Sequence, residues 1–342
     1  MMESKSILID VGHPAHVHLF KNLIFYLKER EHSIIVTSRN KDVTEDLLDH
    51  YGIDFISLST ASSSKMKMLF ELFKRDRSVI KLNRKYRFRI AIGTSVSIAH
   101  LSAFTRVPSF VFEEDDDEII ASTVILTYPF ATHIVVPSCL KFRRWTKKRI
   151  IHNSYHELAY LHPDVFSPDV SILEKYGLEP STYVIFRNSA MYALHDVRQK
   201  GMGNGIGEEL MELLKGYRIL SSAENTDKQL IAPWDMHHVL SFARMLISDS
   251  QTMTAEAACL GVPSVRYNTF VGRISYLEEL ESRYGLTFGF RPGEERSLFQ
   301  KVSEILDIPL NLNPWKDKRE RMLSEKDNLN EWMIKTIEPY LA

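Results

Sequence analysis

Four segments of the chain carry the residue types that move protons or hold anions. In Leu246 to Arg266 (LISDSQTMTAEAACLGVPSVR), an apolar run ends at Ser248-Asp249-Ser250 and a helical pattern opens near Thr252. Ser250, Thr252 and Thr254 set hydroxyls and backbone N–H groups at a helix N-terminus, where the dipole favours a phosphate. Glu256 lies about one turn further in, within reach of a ribose diol. The same pattern also describes a plain N-cap before an Ala-rich, well-packed helix. Asp10 to His18 (DVGHPAHVH) joins a strand to a helix through Gly12 and Pro14, and offers His13 and His16 as acid/base groups or substrate ligands. Either histidine can equally serve as a cap of the turn. His16 and His18, two apart on a helix, face different ways and do not share a metal.

Glu113 to Glu118 (EEDDDE) follows the apolar run SFVF, so an acid at the strand's carboxyl end is a candidate general base. Asp115 and Asp117 form an Asp-x-Asp pair that suits a divalent ion, though no second ligand cluster accompanies them. Arg187 to Gly207 (RNSAMYALHDVRQKGMGNGIG) contains Gly201, Gly203, Gly205 and Gly207 ahead of a helix, and the pair His195-Asp196. Such backbone wraps an anion or forms a mobile lid. No Cys-x-x-Cys, His-Glu-x-x-His, Walker loop or Gly-x-Ser-x-Gly elbow occurs, which sets aside zinc-enzyme, P-loop and hydrolase classes.

The elements that must position these groups follow from apolar patterning. Short apolar runs at 7–11, 33–37, 54–58, 90–93, 109–112 and 134–136 alternate with helical stretches, which predicts βαβ units and a parallel sheet. Alternation restarts with strands at 183–186, 218–221, 245–248 and 264–266. The chain of 342 residues exceeds what one core usually serves, roughly 250–300 residues. The expected organisation is a first Rossmann-like domain at 1–160, a Pro-containing linker at 161–180, a second such domain at 181–315, and a helical tail at 316–342 returning to the first. The expected fold is α/β, two doubly wound domains facing a central cleft, with ligands at the carboxyl ends of strands.

Charge narrows the partners. Lys+Arg 43 against Asp+Glu 44 leaves a net charge of −1, which speaks against nucleic acid. Residues 1–160 carry 23 basic and 18 acidic groups, and Lys65 to Arg89 alone holds ten basic and two acidic ones. Within it Met66, Leu69, Phe70 and Phe73 recur at helical spacing. Core packing of that stripe is the first expectation, and contact with an anionic membrane is the second. Lys141 to Arg149 (KFRRWTKKR) is the other basic stretch. Two cysteines, no signal-peptide core and no apolar run near the ~20 residues of a membrane span suggest a cytoplasmic protein, membrane-associated at most at its surface.

Several segments together resemble the family called domain of unknown function 354: DVGHPAHVHLFKNL at the start, YHELAYLHP at 155–163, HDVRQKGM at 195–202, DMHHVLSFARMLISDSQTMTAEAACLGVPSVRYN at 235–268 and YLEELESRYGL at 276–286. That family is similar to the glycosyltransferase-B superfamily, including non-hydrolysing UDP-N-acetylglucosamine 2-epimerases and transferases acting on lipid-linked acceptors. The resemblance implies a nucleotide sugar held mainly by the second domain, by Arg187, Asn188, His195, Ser250, Gln251, Thr252, Thr254, Glu256, Arg266 and Asn268. Ser250 and Glu256 match the epimerases' diphosphate serine and ribose glutamate, while Gln251 and Thr252 replace two glycines. Glu113 or Glu114 matches an acidic position. Gly93-Thr94-Ser95 stands where the epimerases carry an aspartate, and Arg187-Asn188-Ser189 replaces their His-Arg segment. These departures favour a transferase, which needs one base, over an epimerase, which needs acid/base groups on both faces of the sugar. The expected activity is metal-independent, cofactor-free transfer from a nucleotide-sugar donor to a saccharide or lipid-linked acceptor in surface-polysaccharide or glycoconjugate synthesis. His13, His16, Glu113 and Glu114 are its candidate catalytic groups. A 2-epimerase and a non-catalytic nucleotide-sugar-binding protein are the alternatives.

Overall fold

The computed structural model describes residues 6–60, 65–142, 144–187, 206–222 and 231–341. The chain forms two compact units, Met1–Val165 with Lys326–Ala342, and Phe166–Glu325. In the first, strands β1 (Ile7–Val11), β2 (Ile34–Asn40), β3 (Phe55–Thr60), β4 (Ile90–Gly93), β5 (Ser109–Phe112), β6 (His133–Pro137) and β7 (Arg149–His152) form one sheet in the order β3-β2-β1-β4-β5-β6-β7. Every pairing is parallel. Because helices cover both faces, β1 and β5 are buried along their whole length, and their sequences are near-continuous apolar runs. The order reverses between β1 and β4, the type of switch point where α/β sheets open a crevice beyond the strand ends.

The second unit repeats the plan with β8 (Tyr183–Arg187), β9 (Arg218–Ser222), β10 (Met245–Ser248), β11 (Ser264–Tyr267) and β12 (Thr287–Phe290), ordered β12-β11-β10-β8-β9 and again all parallel. Its switch point lies between β8 and β10. The final helix, Leu329–Ile337, packs on the Pro14–Glu29 and Leu158–Leu161 helices of the first unit. Tyr340 Oη there meets His133 Nε2 at 2.9 Å.

The 22-residue helix Lys65–Tyr86 reverses the expected packing. Its inward side carries Glu71, Arg75 and Val79, while Met66, Leu69, Phe70 and Phe73 are exposed. The cause is a polar network beneath it. Arg75 Nη2 donates to both carboxylate oxygens of Asp10 at 2.7 Å, and Thr37 Oγ1 donates to Asp10 Oδ1 at 2.5 Å. Arg39 holds Glu71 through two bonds, and Ser59 adds a third. Burial pulls the Glu71 carboxyl up, and those hydrogen bonds outweigh it and leave it below its ordinary value. The expectation of core packing for the apolar stripe is therefore corrected: charged partners at the ends of β1 and β2 claim the inner face.

Asp10 is wholly buried and Arg75 nearly so, so removing one charge strands the other. Arg75→Met is expected to cost about 3–5 kcal/mol of unfolding free energy. Urea unfolding followed by circular dichroism reads the change; a loss within experimental error of zero contradicts the pair's role.

Candidate functional site

At the β1–β4 switch point of the first unit, His13 caps the Pro14–Glu29 helix, its Nδ1 accepting from the Ala15 N–H at 3.3 Å. One turn on, His16 Nδ1 accepts from the Gly12 N–H at 3.3 Å and lies 2.8 Å from the Thr94 hydroxyl. Burial lowers the His16 pKa well below its ordinary value, and His13, His156 and Lys41 add to the effect. The imidazole is thus neutral at neutral pH, with its Nδ1 lone pair turned toward the Gly12 N–H and the Thr94 hydroxyl. Thr94 reaches it because β4 runs hard against β1: a Cβ on Gly93 would stand 2.6 Å from the Asp10 carbonyl oxygen.

Beyond β5 the two candidate glutamates part. Residues of a strand alternate between faces, and that alternation continues past Phe112. Glu114 pairs with His156, Oε2 to Nδ1 at 3.3 Å, on the side where Phe112 packs against Phe20. Glu113 instead lies among Asp115, Asp117 and Tyr128. Burial, with Asp115 and Asp117 nearby, pushes the Glu113 pKa up to about 8, so its carboxyl is largely protonated at neutral pH. His13, His16, Glu114 and His156 therefore form one group, and Glu113 belongs to another. His156 went unassigned in the sequence, although it sits inside the YHELAYLHP segment; its position in the loop between β7 and the Leu158–Leu161 helix hid the neighbour it meets. Burial drives the pKa values of His156 and His152 down to about 3, with Lys326 adding to the shift at His152 and His152 to that at His156.

The acidic run is mostly built in. Asp117 holds Arg149 through two bonds of 2.8 and 2.6 Å, and Asp116 accepts from the Lys141 N–H. Lys148 donates to the carbonyls of Tyr128, Pro129 and Ala131. Half the Asp-x-Asp pair is thereby engaged by a cation of the chain, and among the described residues no group of three or more His, Cys, Asp or Glu is placed to hold a metal ion.

In the second unit, Arg187, Ser248 and Arg266 are register partners across β8, β10 and β11, so their side chains leave one face of the sheet. Ser250 caps the Gln251–Leu260 helix, its hydroxyl accepting from the Met253 N–H at 3.3 Å. Gln251 and Thr252 remain partly exposed, and the first-turn N–H groups of a helix have no carbonyl of their own helix to meet. Deeper residues depart from expectation. Thr254 is fully buried and donates to the Ser250 carbonyl at 2.7 Å, so its hydroxyl is spent inside the helix. Glu256 is buried against His237, 3.0 Å from its Nε2. Arg266 is wholly buried beneath the helix layer, with Glu278 at 3.4 Å, and so does not reach solvent. Asn268 ties Asp249 to the strand edge by donating to its carbonyl at 2.9 Å. Arg187 Nη1 approaches the Met253 sulfur at 3.3 Å. Asn188, His195 and the glycines at 201–205 lie outside the described residues.

The model of the family described as "Protein of unknown function (DUF354)" matches residues 5–198, over half of the chain. The protein belongs to that family. No curated protein matches the sequence. Solved structures match over nearly the whole length. MnaA of S. aureus, in a co-structure with UDP, is 13% identical, with a TM-score of 0.66 over 98% of this chain and 97% of that one. The UDP-GlcNAc 2-epimerase of Neisseria meningitidis, bound to UDP-GlcNAc, is 11% identical, with a TM-score of 0.63 over 98% and 100%. The calicheamicin glycosyltransferase CalG4 is 13% identical, with a TM-score of 0.57 over 99% of both chains. The DUF354 chain thus has the glycosyltransferase-B type of fold, two Rossmann-like parallel sheets.

The buried titratable groups set a pH optimum for stability. His152, His156 and His16 have folded pKa values below the ordinary 6.5, so their contribution is present above pH 6.5 and is lost as pH falls below it, toward about 3 for His152 and His156. Glu113 has the opposite sign: raised from 4.5 to about 8, it loses stability as pH rises through that window. Each group contributes a slope of about 1.4 kcal/mol per pH unit while folded and unfolded states differ by one proton. Urea midpoints across pH should peak near 6.5. His152→Gln should flatten the acid limb and Glu113→Gln the alkaline one; a profile unchanged by both variants contradicts the assignment.

Proposed function

We propose that this protein is a glycosyltransferase-like enzyme that uses a nucleotide sugar and needs no metal. The observation that carries the reading is His16, a histidine kept neutral and set against Thr94 at a sheet's switch point. In the proposed reaction His16 takes the proton of an acceptor hydroxyl as that oxygen bonds to the anomeric carbon. The bond from that carbon to the diphosphate oxygen breaks, and the nucleoside diphosphate leaves with the electron pair. The open first turn at Gln251 and Thr252, with the helix dipole behind it, is the proposed seat of the diphosphate. Arg187, with Asn188 and His195, is proposed to line the same seat, and Glu256 to take the ribose, with His237 orienting its carboxylate. Glu114 and His156 are proposed to position the acceptor beside His16, with His13 as a further contact. Ser250 and Asn268 shape the turn, while Thr254 and Arg266 support it from within. The acceptor, by the same reading, is a saccharide or a lipid-linked saccharide of surface-polysaccharide or glycoconjugate synthesis.

A second reading is a nucleotide-sugar 2-epimerase. Glu113 favours it, because a carboxyl protonated near neutral pH can deliver a proton to the sugar, and the UDP-bound structural neighbours include an epimerase. The two readings separate in deuterium oxide. Epimerisation incorporates solvent deuterium at C2 of the sugar without an acceptor, whereas transfer leaves C2 untouched and consumes the donor only with acceptor present. His16→Asn should lower kcat/KM for transfer by roughly 10²–10⁴-fold while donor affinity is retained. C2 exchange contradicts the transferase reading, and full transfer by the variant contradicts His16 as its base. Donor binding with neither reaction leaves a non-catalytic nucleotide-sugar-binding protein.

A further inference from the structure

We propose that the outward face of the Lys65–Tyr86 helix is a docking surface for an anionic phospholipid bilayer. The inference stands on that helix alone and does not depend on the enzymatic reading. At 100° per residue, Met66, Phe70, Phe73 and Arg77 fall on one outward stripe, opposite Arg75 and Val79. Its first two turns are apolar: Met66 and Phe70 are each 70% exposed, Phe73 65% and Leu69 54%. The stripe then turns basic, through Arg77, Lys81 and Arg84, with Lys67, Lys74 and Lys85 along its flank. Of the helix's two acidic residues, Glu71 is directed inward to Arg39, and Asp76, at the margin of this face, is taken by His100.

Four large apolar side chains in water on one short stretch of helix are costly unless something covers them. The polar network of Asp10, Arg39, Glu71 and Arg75 fixes the rotation of the helix, so the apolar side chains cannot turn inward without breaking buried ion pairs. The cover must therefore be apolar where the aromatic groups are and negative where the lysines and arginines are. An interface of acyl chains and acidic headgroups has both properties, and a basic amphipathic surface takes it up by apolar burial plus electrostatic attraction. The same layer of helices adds exposed Phe104 and Ile125. The helix begins after β3, at the edge of the sheet where the strands end and where His16 and Thr94 lie, so docking would bring that edge toward the headgroups. Among the described residues no helix is long and apolar enough to cross a membrane, so contact of this helix with lipid is peripheral.

The test is flotation of the full chain with vesicles of phosphatidylcholine, with and without phosphatidylglycerol. Wild-type protein is expected to float with the anionic vesicles and not with the neutral ones, and to release as salt is raised. The double variant Phe70→Ser/Phe73→Ser should lose at least about tenfold in vesicle partitioning. Arg77→Glu/Lys81→Glu should abolish the preference for phosphatidylglycerol. All four positions are exposed, and unchanged thermal melts would confirm that the variants fold. Equal binding to neutral vesicles, or undiminished flotation of the serine variant, overturns the proposal. So does sedimentation showing a wild-type dimer that the serine variant abolishes while no vesicle binds, which would make a second copy of the chain the occupant.

Discussion

The buried ion pair of Asp10 and Arg75 is the constraint from which the first unit's layout follows. Asp10 is the penultimate residue of β1, the central strand at the switch point, and removing its charge from water is tolerable only because Arg75 and Thr37 surround the carboxylate. That requirement fixes the rotation of the Lys65–Tyr86 helix. It also holds the end of β1 where the Gly12 turn begins, and so sets the approach of His16 to Thr94. One interaction thereby couples the geometry of the candidate proton acceptor to the exposure of an aromatic stripe on a neighbouring helix.

The two units divide their chemistry in a way their shared topology does not require. At the first unit's strand ends the chain places titratable groups: a neutral imidazole, a Glu114–His156 pair, and on the opposite face a carboxyl with an upward-shifted pKa. At the second it places a capped helix start with partly exposed first-turn residues and an arginine at the end of β8. The fold supplies strand ends and helix starts in both units, and the side chains at those ends give each its character.

Strands buried on both faces were legible because they read as short apolar runs: β1, β4, β5 and β10 fall at the residues their sequences mark. The misses have physical causes. β7 (RIIH) is an edge strand embedded in a basic stretch, and its Arg149 is spent on Asp117 rather than on solvent. β12 (TFGF) is short and interrupted by Gly289, whose amide is taken by Glu281. The Ala121–Thr127 and Ser275–Ser282 helices are too short for a sustained period. The rotation of the Lys65–Tyr86 helix was misread because apolar spacing finds an apolar face but does not say that a buried carboxylate elsewhere outranks it. Site residues followed the same rule. Spacing located the helix start at Ser250, but it is the tertiary fold that turns Thr254 to a backbone carbonyl, buries Arg266 below the helices, and sets His156 beside Glu114.

The account of function turns on an anion meeting the backbone at Gln251 and Thr252. Amide hydrogen exchange of the intact protein, with and without a panel of UDP-, GDP- and dTDP-linked sugars, addresses it without relying on turnover. The account predicts that at least one of these ligands slows exchange across Ser250 to Met253. A panel that leaves those amides unchanged, or a bound sugar that protects other segments alone, contradicts it.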